Sequence, residues 1–414
     1  MKIGDMKFEG LWLDDPVHRA FLADDARAHF DFFRASLRPD GRIAALDETG
    51  APRPDAPQEL HAVARLVHSY ALGQLCGQGG TADVVEAALA ALTRDHRDPD
   101  HGGYVWAVQD RQIVDGIKLA YGQVFVLLAA STARIAGHSA AEPLFDDVAE
   151  VIETRFWDDA AGHLRDEFAR DWTPFSTYRG MNANMHGVEA MLTAFEATGD
   201  TVWRDRAGRI LTFFVGRMAP AHGWRLPEHY NEDWSVDPAY SGDPMFRPAG
   251  TTPGHSFELA RLSIQHWDLC GRPANDAPAM ARRLIERALS DAWLPEGGFA
   301  YTLGHDGHVA VADRYWWPVT EAIGAMATLL KVDPRPGDAD WYRRLWVFAA
   351  DHFIDAARGG WFPEVDAEGR HAHAQFAGKP DIYHSLQADL IPLIPSVSRM
   401  WEGIGTLKPL ADRS

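Results

Sequence analysis

Three histidines stand near the starts of apolar helical stretches: His186 in NANMHGVEAM, His255 in TTPGHSFELA and His384 in PDIYHSLQADL. Imidazole titrates close to neutral pH. Held at the mouth of an apolar interior, it can act as a general acid or base once a neighbour settles which ring nitrogen carries the proton. His255 and Glu258 are three residues apart, on one helix face, so Glu258 is the expected partner of His255. Taken singly, such a histidine is more often a core residue than a catalyst. Arg65 and Glu321 equally fit a buried ion pair between two helices.

A repeat changes that reading. A glycine, a short alternating stretch and a helical stretch recur six times, at Gly41, Gly103, Gly162, Gly223, Gly298 and Gly360, with intervals of 62, 59, 61, 75 and 62 residues. The long interval holds HYNEDWSVDPAYSGDPMFRPAGTTPG, rich in Pro and Gly, which reads as an inserted loop. About sixty residues accommodate a glycine hairpin and two helices. LARLSIQHWDLC and EAIGAMATLL are apolar over too wide a face for surface helices, whereas PLFDDVAEVIETRFW gathers its acids on one face. Six such pairs, closing rather than forming an open solenoid, predict an all-α (α/α)6 barrel. It would have six inner and six outer helices, short hairpins in the loops at one end, and one catalytic domain spanning residues 1–414.

Counted from the glycine of its unit, Arg65 lies 24 residues on, Tyr121 18, His186 24, Glu321 23 and His384 24; the inserted loop moves His255 and Glu258 to 32 and 35. Residues at one phase of a closed repeat form a ring. A convergent polar pocket is the economical expectation, because such groups scattered singly through an apolar interior would each cost desolvation energy. Tyr104, Trp106, Trp316, Trp317 and Trp361 offer flat apolar faces against which a sugar ring can stack. Three histidines and a glutamate are also a zinc or manganese ligand set, but their spacing is not HExxH, so a metal stays the lesser reading and no cofactor is expected.

Bulk properties narrow the partners. Forty basic against 59 acidic residues give a net charge of −19, which disfavours nucleic acid and anionic lipid. No run approaches the length of a membrane span, and MKIGDMKFEGLWLDDPVHRAFL has no continuous apolar region of the kind a signal peptide carries, so a cytoplasmic location is expected. Cys76 and Cys270 are far apart and outside any CxxC pattern, and both are expected as buried thiols.

Six segments in order resemble the N-acylglucosamine 2-epimerase superfamily: ARLVHSYALG, KLAYGQVF, YRGMNANMHGVEA, FRPAGTTPGHSFELARL, RYWWPVTEAIGA and GKPDIYHSLQADL. Within it the chain is most similar to the aldose–ketose isomerases acting on mannose, including those that isomerise sulfoquinovose. The resemblance implies an (α/α)6 barrel and metal-free proton transfer on a monosaccharide. It implies that His255 and His384, with Glu258, do the acid–base work. Arg65, Tyr121, Asn182, His186, Arg247, Trp316, Glu321 and Asp381 would then surround the substrate. The expected reaction is mannose to fructose, or lyxose to its ketose, through a cis-enediol. Three alternatives stand beside it: 2-epimerisation of the same sugar, glycoside hydrolysis by Glu258 and Glu321, and sugar binding without turnover. Arg247, Lys379 and Gln375 are candidates for reading an anionic substituent.

Overall fold

The computed structural model describes residues 12–366, 368–405 and 407. The first eleven residues, on which much of the N-terminal reading rests, lie outside the described residues. Among the described residues no helix is long and apolar enough to cross a membrane.

Twelve helices alternate between two layers. The outer ones are α1 (Pro16–Phe33), α3 (Ala82–Ala91), α5 (Ala141–Val151), α7 (Thr201–Leu211), α9 (Ala277–Ala292) and α11 (Asp338–His352). The inner ones are α2 (Leu60–Leu75), α4 (Ala120–Ile135), α6 (Met181–Thr198), α8 (Pro253–Leu269), α10 (Trp316–Val332) and α12 (Tyr383–Leu393). Composition assigns the layers. Every residue of α10 from Trp316 to Leu330 is buried, whereas α9 buries one stripe, including Leu284, Ile285, Ala288 and Leu289. Local signals set the ends: the Asp15 carboxylate accepts from the Val17 and His18 amides at 2.8 and 3.1 Å to start α1, and left-handed Gly199 stops α6.

Each inner helix packs on the next, α12 packs on α2, and α1 packs on α12, so the double ring closes. All six repeat glycines adopt positive φ, between +62° and +80°, a region that disfavours a side chain. Most turn tight hairpins between an outer helix and the following inner one, as in the Leu37–Ile43, Arg97–Tyr104, Trp293–Phe299 and Ile354–Trp361 pairings. From there, short extended segments stitch the units together around one end. Gln58–Glu59 pairs with Ala107–Val108, Lys118–Leu119 with Glu167–Phe168, Arg179–Gly180 with His229–Tyr230, Thr251 with Leu303, and Arg314–Tyr315 with Glu364–Val365. Lys379 with Leu46 completes the circle. Four of these six segments run directly into an inner helix and Thr251 stands one residue short of α8, so backbone pairing sets the height at which these five inner helices begin. Cys76 is buried as expected, but Cys270 is exposed: it lies just past the end of α8, where the chain turns at left-handed Gly271.

Candidate active site

Because the inner helices start at matched heights, position along the helix decides which side chains meet. The second residues of five of them are His61, Tyr121, Asn182, Trp317 and His384, with His255 at the third position of α8; one turn deeper, at the sixth position, stand Arg65, His186, Glu258 and Glu321. This differs from the glycine count, which put His384 level with Arg65 and His186. The sixth glycine-to-helix connection, from Gly360 to Tyr383, is four residues longer than the first, from Gly41 to Leu60, and that extra length made the numbers coincide. All of these but Glu321 line a cavity of about 450 Å³, of the size that takes a small molecule.

Two imidazoles in its wall are fixed alike. His384 Nδ1 lies 2.8 Å from Glu321 Oε1, and His255 Nδ1 lies 2.9 Å from Glu228 Oε2. A carboxylate at Nδ1 holds the proton there and leaves Nε2 unprotonated as the working nitrogen. Both rings pack against the Trp317 indole, with centroids 5.1 and 5.9 Å away. Gly254 permits this, since a Cβ there would fall 2.2 Å from Trp317 Cζ3.

Glu228, not Glu258, therefore backs His255. Glu228 also accepts from the Thr252 amide at 3.2 Å, tying the end of the inserted loop to the entry of α8. Glu258 faces His186 instead, with Oε1 3.3 Å from His186 Nδ1. Burial, reinforced by Glu321 and Glu189, pushes the Glu258 carboxyl well above the ordinary range, and neither of its oxygens has a hydrogen-bond partner among the described residues. A neutral buried carboxyl can donate as well as accept a proton. Burial also lowers His186 to about 4, so this ring stays neutral. For Glu321 the balance is reversed: burial pushes it up, but Arg261 and the His384 hydrogen bond outweigh that and hold it ionised. Deeper still, Tyr383 Oη donates to Glu189.

Arg65 is clamped between aromatic faces, its guanidinium carbon 4.4 Å from the Phe125 centroid and 4.7 Å from that of Tyr383. It donates to Asp381 Oδ2 at 2.8 Å and to Tyr121 Oη at 2.9 Å. Asn182 and Trp316 line the same cavity. Arg247, expected at the substrate, is not in the lining: it pairs with Glu167 at 2.7 Å and stacks on Tyr178. Glu321 is likewise behind the wall, reaching the cavity through His384. Gln375 and Lys379 reach the mouth, but Lys379 Nζ is bound to Asp355 at 2.8 Å. Tyr104 and Trp361 serve packing, their polar atoms bonded to Asp147 and Asp25.

Sequence reasoning missed His61 and Glu228. His61 stacks on Trp106 at 5.0 Å and sits under Phe246 of the inserted loop, which roofs the cavity. Counting from helix starts instead of glycines would have found His61 beside Tyr121. Glu228 carries no periodic signal, only its place just before the insertion. His186, Glu189 and Glu258 present ligand atoms within 4.8 Å of one another and are the residues of the site able to hold a metal ion.

The sequence profile of the N-acylglucosamine 2-epimerase (GlcNAc 2-epimerase) family matches residues 41–388, from the first repeat glycine to the last inner helix. The chain belongs to this family. D-mannose isomerase of Thermobifida fusca is 39% identical over 407 residues, covering 96% of this chain and 99% of that protein. D-mannose isomerase of Pseudomonas cannabina pv. alisalensis is 36% identical over 395 residues, covering 93% and 94%. A crystal structure of D-mannose isomerase superposes with a TM-score of 0.84 at 28% identity, over 90% of this chain and 97% of that one. As a family member with these relatives, the chain is a sugar-isomerising or epimerising enzyme, and its (α/α)6 ring is the family fold.

Proposed function

We propose that this enzyme interconverts D-mannose and D-fructose by metal-free proton transfer through a cis-enediol, with the whole chain acting as one catalytic domain. The observation carrying the reading is the pair of imidazoles, each fixed at Nδ1 by its own carboxylate, set around one cavity with an unpartnered, neutral-tending Glu258. His255, oriented by Glu228, takes the O1 proton of the pyranose; the O–H electrons form the C1=O1 carbonyl, the C1–O5 bond breaks with its electrons going to O5, and the His255 imidazolium gives its proton to O5. His384 Nε2 then removes the C2 proton of the open-chain aldose. The C–H electrons form the C1–C2 double bond and the carbonyl electrons move to O1, which takes a proton from Glu258. The His384 imidazolium returns its proton to C1, and O2 gives its proton back to Glu258 as the ketone forms. Arg65 and His186 hold the substrate oxygens on which charge develops, with Tyr121, Asn182, Trp316 and Asp381 around the sugar.

The name of the similar proteins, D-mannose isomerase, supports mannose as substrate. Two of the lining cations, Arg65 and Lys379, are paired with carboxylates, which supports an uncharged sugar, whereas Arg53 donates to the Ala377 carbonyl at 2.9 Å and is the lining cation that a 6-sulfonated sugar would engage. Epimerisation at C2 is the second reading, favoured by His255 being as well supported by a carboxylate as His384. Product analysis over mannose, lyxose, talose, glucose and a 6-sulfonated hexose tests the proposal. Mannose giving fructose fastest is expected; C2 epimers as the only products would overturn it.

A further inference from the structure

A second cluster of polar side chains lies away from the cavity, where the ring closes. Asp25 and His29 stand one turn apart on α1, and Asp389 faces them from α12; His29 and Asp389 are fully buried and Asp25 nearly so. His29 Nε2 is 3.6 Å from Asp25 Oδ2 and 3.5 Å from Asp389 Oδ2, and all three ligand atoms lie within 4.8 Å of one another. Those separations are too long for hydrogen bonds. They approach the edge of a tetrahedron whose ligands sit about 2.0–2.1 Å from a central ion, roughly 3.4 Å. Among the described residues, both nitrogens of His29 and both carboxylate oxygens of Asp389 lack a hydrogen-bond partner, a costly arrangement at full burial. Lys379, the cation that His29 senses, is itself bound to Asp355 and the Gly359 carbonyl.

We propose that Asp25, His29 and Asp389 form a structural site for one divalent transition-metal ion, with zinc the best fit, that clasps the first outer helix to the last inner helix. Two carboxylates and one neutral imidazole balance a charge of +2 and match zinc's preferred donors. Trp361 Nε1, donating to Asp25 Oδ2 at 2.9 Å, orients that ligand from outside the site. An ion at the centre of the cluster would meet the His29 Nε2 and carboxylate oxygens that now stand 3.5 and 3.6 Å apart.

The test is a Co2+ titration of the chelator-stripped full-length protein, with thermal melts in Zn2+ and in chelator. About one Co2+ per chain with the visible spectrum of four-coordinate cobalt, the second Asp389 oxygen filling the fourth position, and a higher Tm in Zn2+, are expected. Glu258→Gln separates this site from the active-site carboxylates and should bind unchanged, whereas His29→Gln and Asp389→Asn should bind none. Binding well below one equivalent in the wild type, or binding abolished by Glu258→Gln, overturns the proposal. If His29→Gln and Asp389→Asn do not fold, the wild-type and Glu258→Gln titrations decide alone.

Discussion

Glu321→Gln isolates the carboxylate behind the proposed base. Glu321 Oε1 sits 2.8 Å from His384 Nδ1, and its other oxygen is 3.4 Å from Arg261 Nη2. The amide is nearly the same size, but Arg261 will draw its oxygen and turn the NH2 group towards His384. That places a donor where the imidazole needs an acceptor and favours the tautomer with Nε2 protonated, which cannot take the C2 proton. The variant also loses the charge that stabilises the imidazolium formed during the step. A unit charge at about 4 Å in an effective dielectric of about 20 contributes about 4 kcal/mol, and loss of a charged hydrogen bond costs about 1.5–3 kcal/mol. These overlap, so kcat should fall between about 10² and 10³. The assay is initial-rate formation of fructose from mannose and from mannose deuterated at C2, alongside a thermal melt. The expected result is the stated loss, a full primary isotope effect and a folded protein. A folded Glu321→Gln enzyme within threefold of wild type would refute the reasoning.

Other consequences can be measured on the same footing. Arg65→Lys keeps the charge but not the planar fork that engages Asp381 and Tyr121 between two rings, so kcat/KM should fall at least tenfold; an unchanged value counts against Arg65 as a substrate ligand. Arg247→Ala should lower Tm yet leave KM within about twofold, since its partners are Glu167 and Tyr178; a large rise in KM would put Arg247 back at the substrate. Gly254→Ala forces Trp317 off both imidazoles, at a stability cost of about 1–3 kcal/mol, and should cut activity far more than Tm, which parallel assays will show or contradict. Burial lowers His61 to about 3, His186 to about 4 and His96 to about 4, from 6.5. These histidines are neutral when folded and protonated when unfolded, so their contribution is complete above pH 6.5 and is lost as pH falls through 4. Asp166 and Glu196, raised to about 7 by burial, oppose that loss until pH nears 4.5. Tm should therefore decline gently from pH 6.5, more steeply between about 4.5 and 4, and then level off as the folded-state histidines protonate as well; a flat profile to pH 4 would contradict these assignments.

The fold was legible because it repeats. Six glycines at near-constant spacing marked six left-handed turns, and the wide apolar faces of α8 and α10 marked inner helices before any contact was known. The site was legible only in outline. Residues on inner helices were found because helical periodicity carries them to one end, but their mutual pairing depended on loop length, which has no period. The longer connection before α12 disguised the height of His384. The partner of His255 came from Glu228, 27 residues away across the inserted loop, rather than from Glu258 on its own helix. Arg247 lies in that loop, and nothing in its neighbours announced that it would fold back on Glu167.

The most direct test of the account is to incubate the wild-type enzyme and His384→Ala with D-mannose in deuterated water and follow the products by NMR. The account predicts fructose from the wild type, with deuterium entering C1 as the imidazolium exchanges with solvent. It predicts no fructose and no C2 exchange from a folded His384→Ala protein. Glucose deuterated at C2 as the main product, or fructose formed at an undiminished rate by His384→Ala, would contradict it.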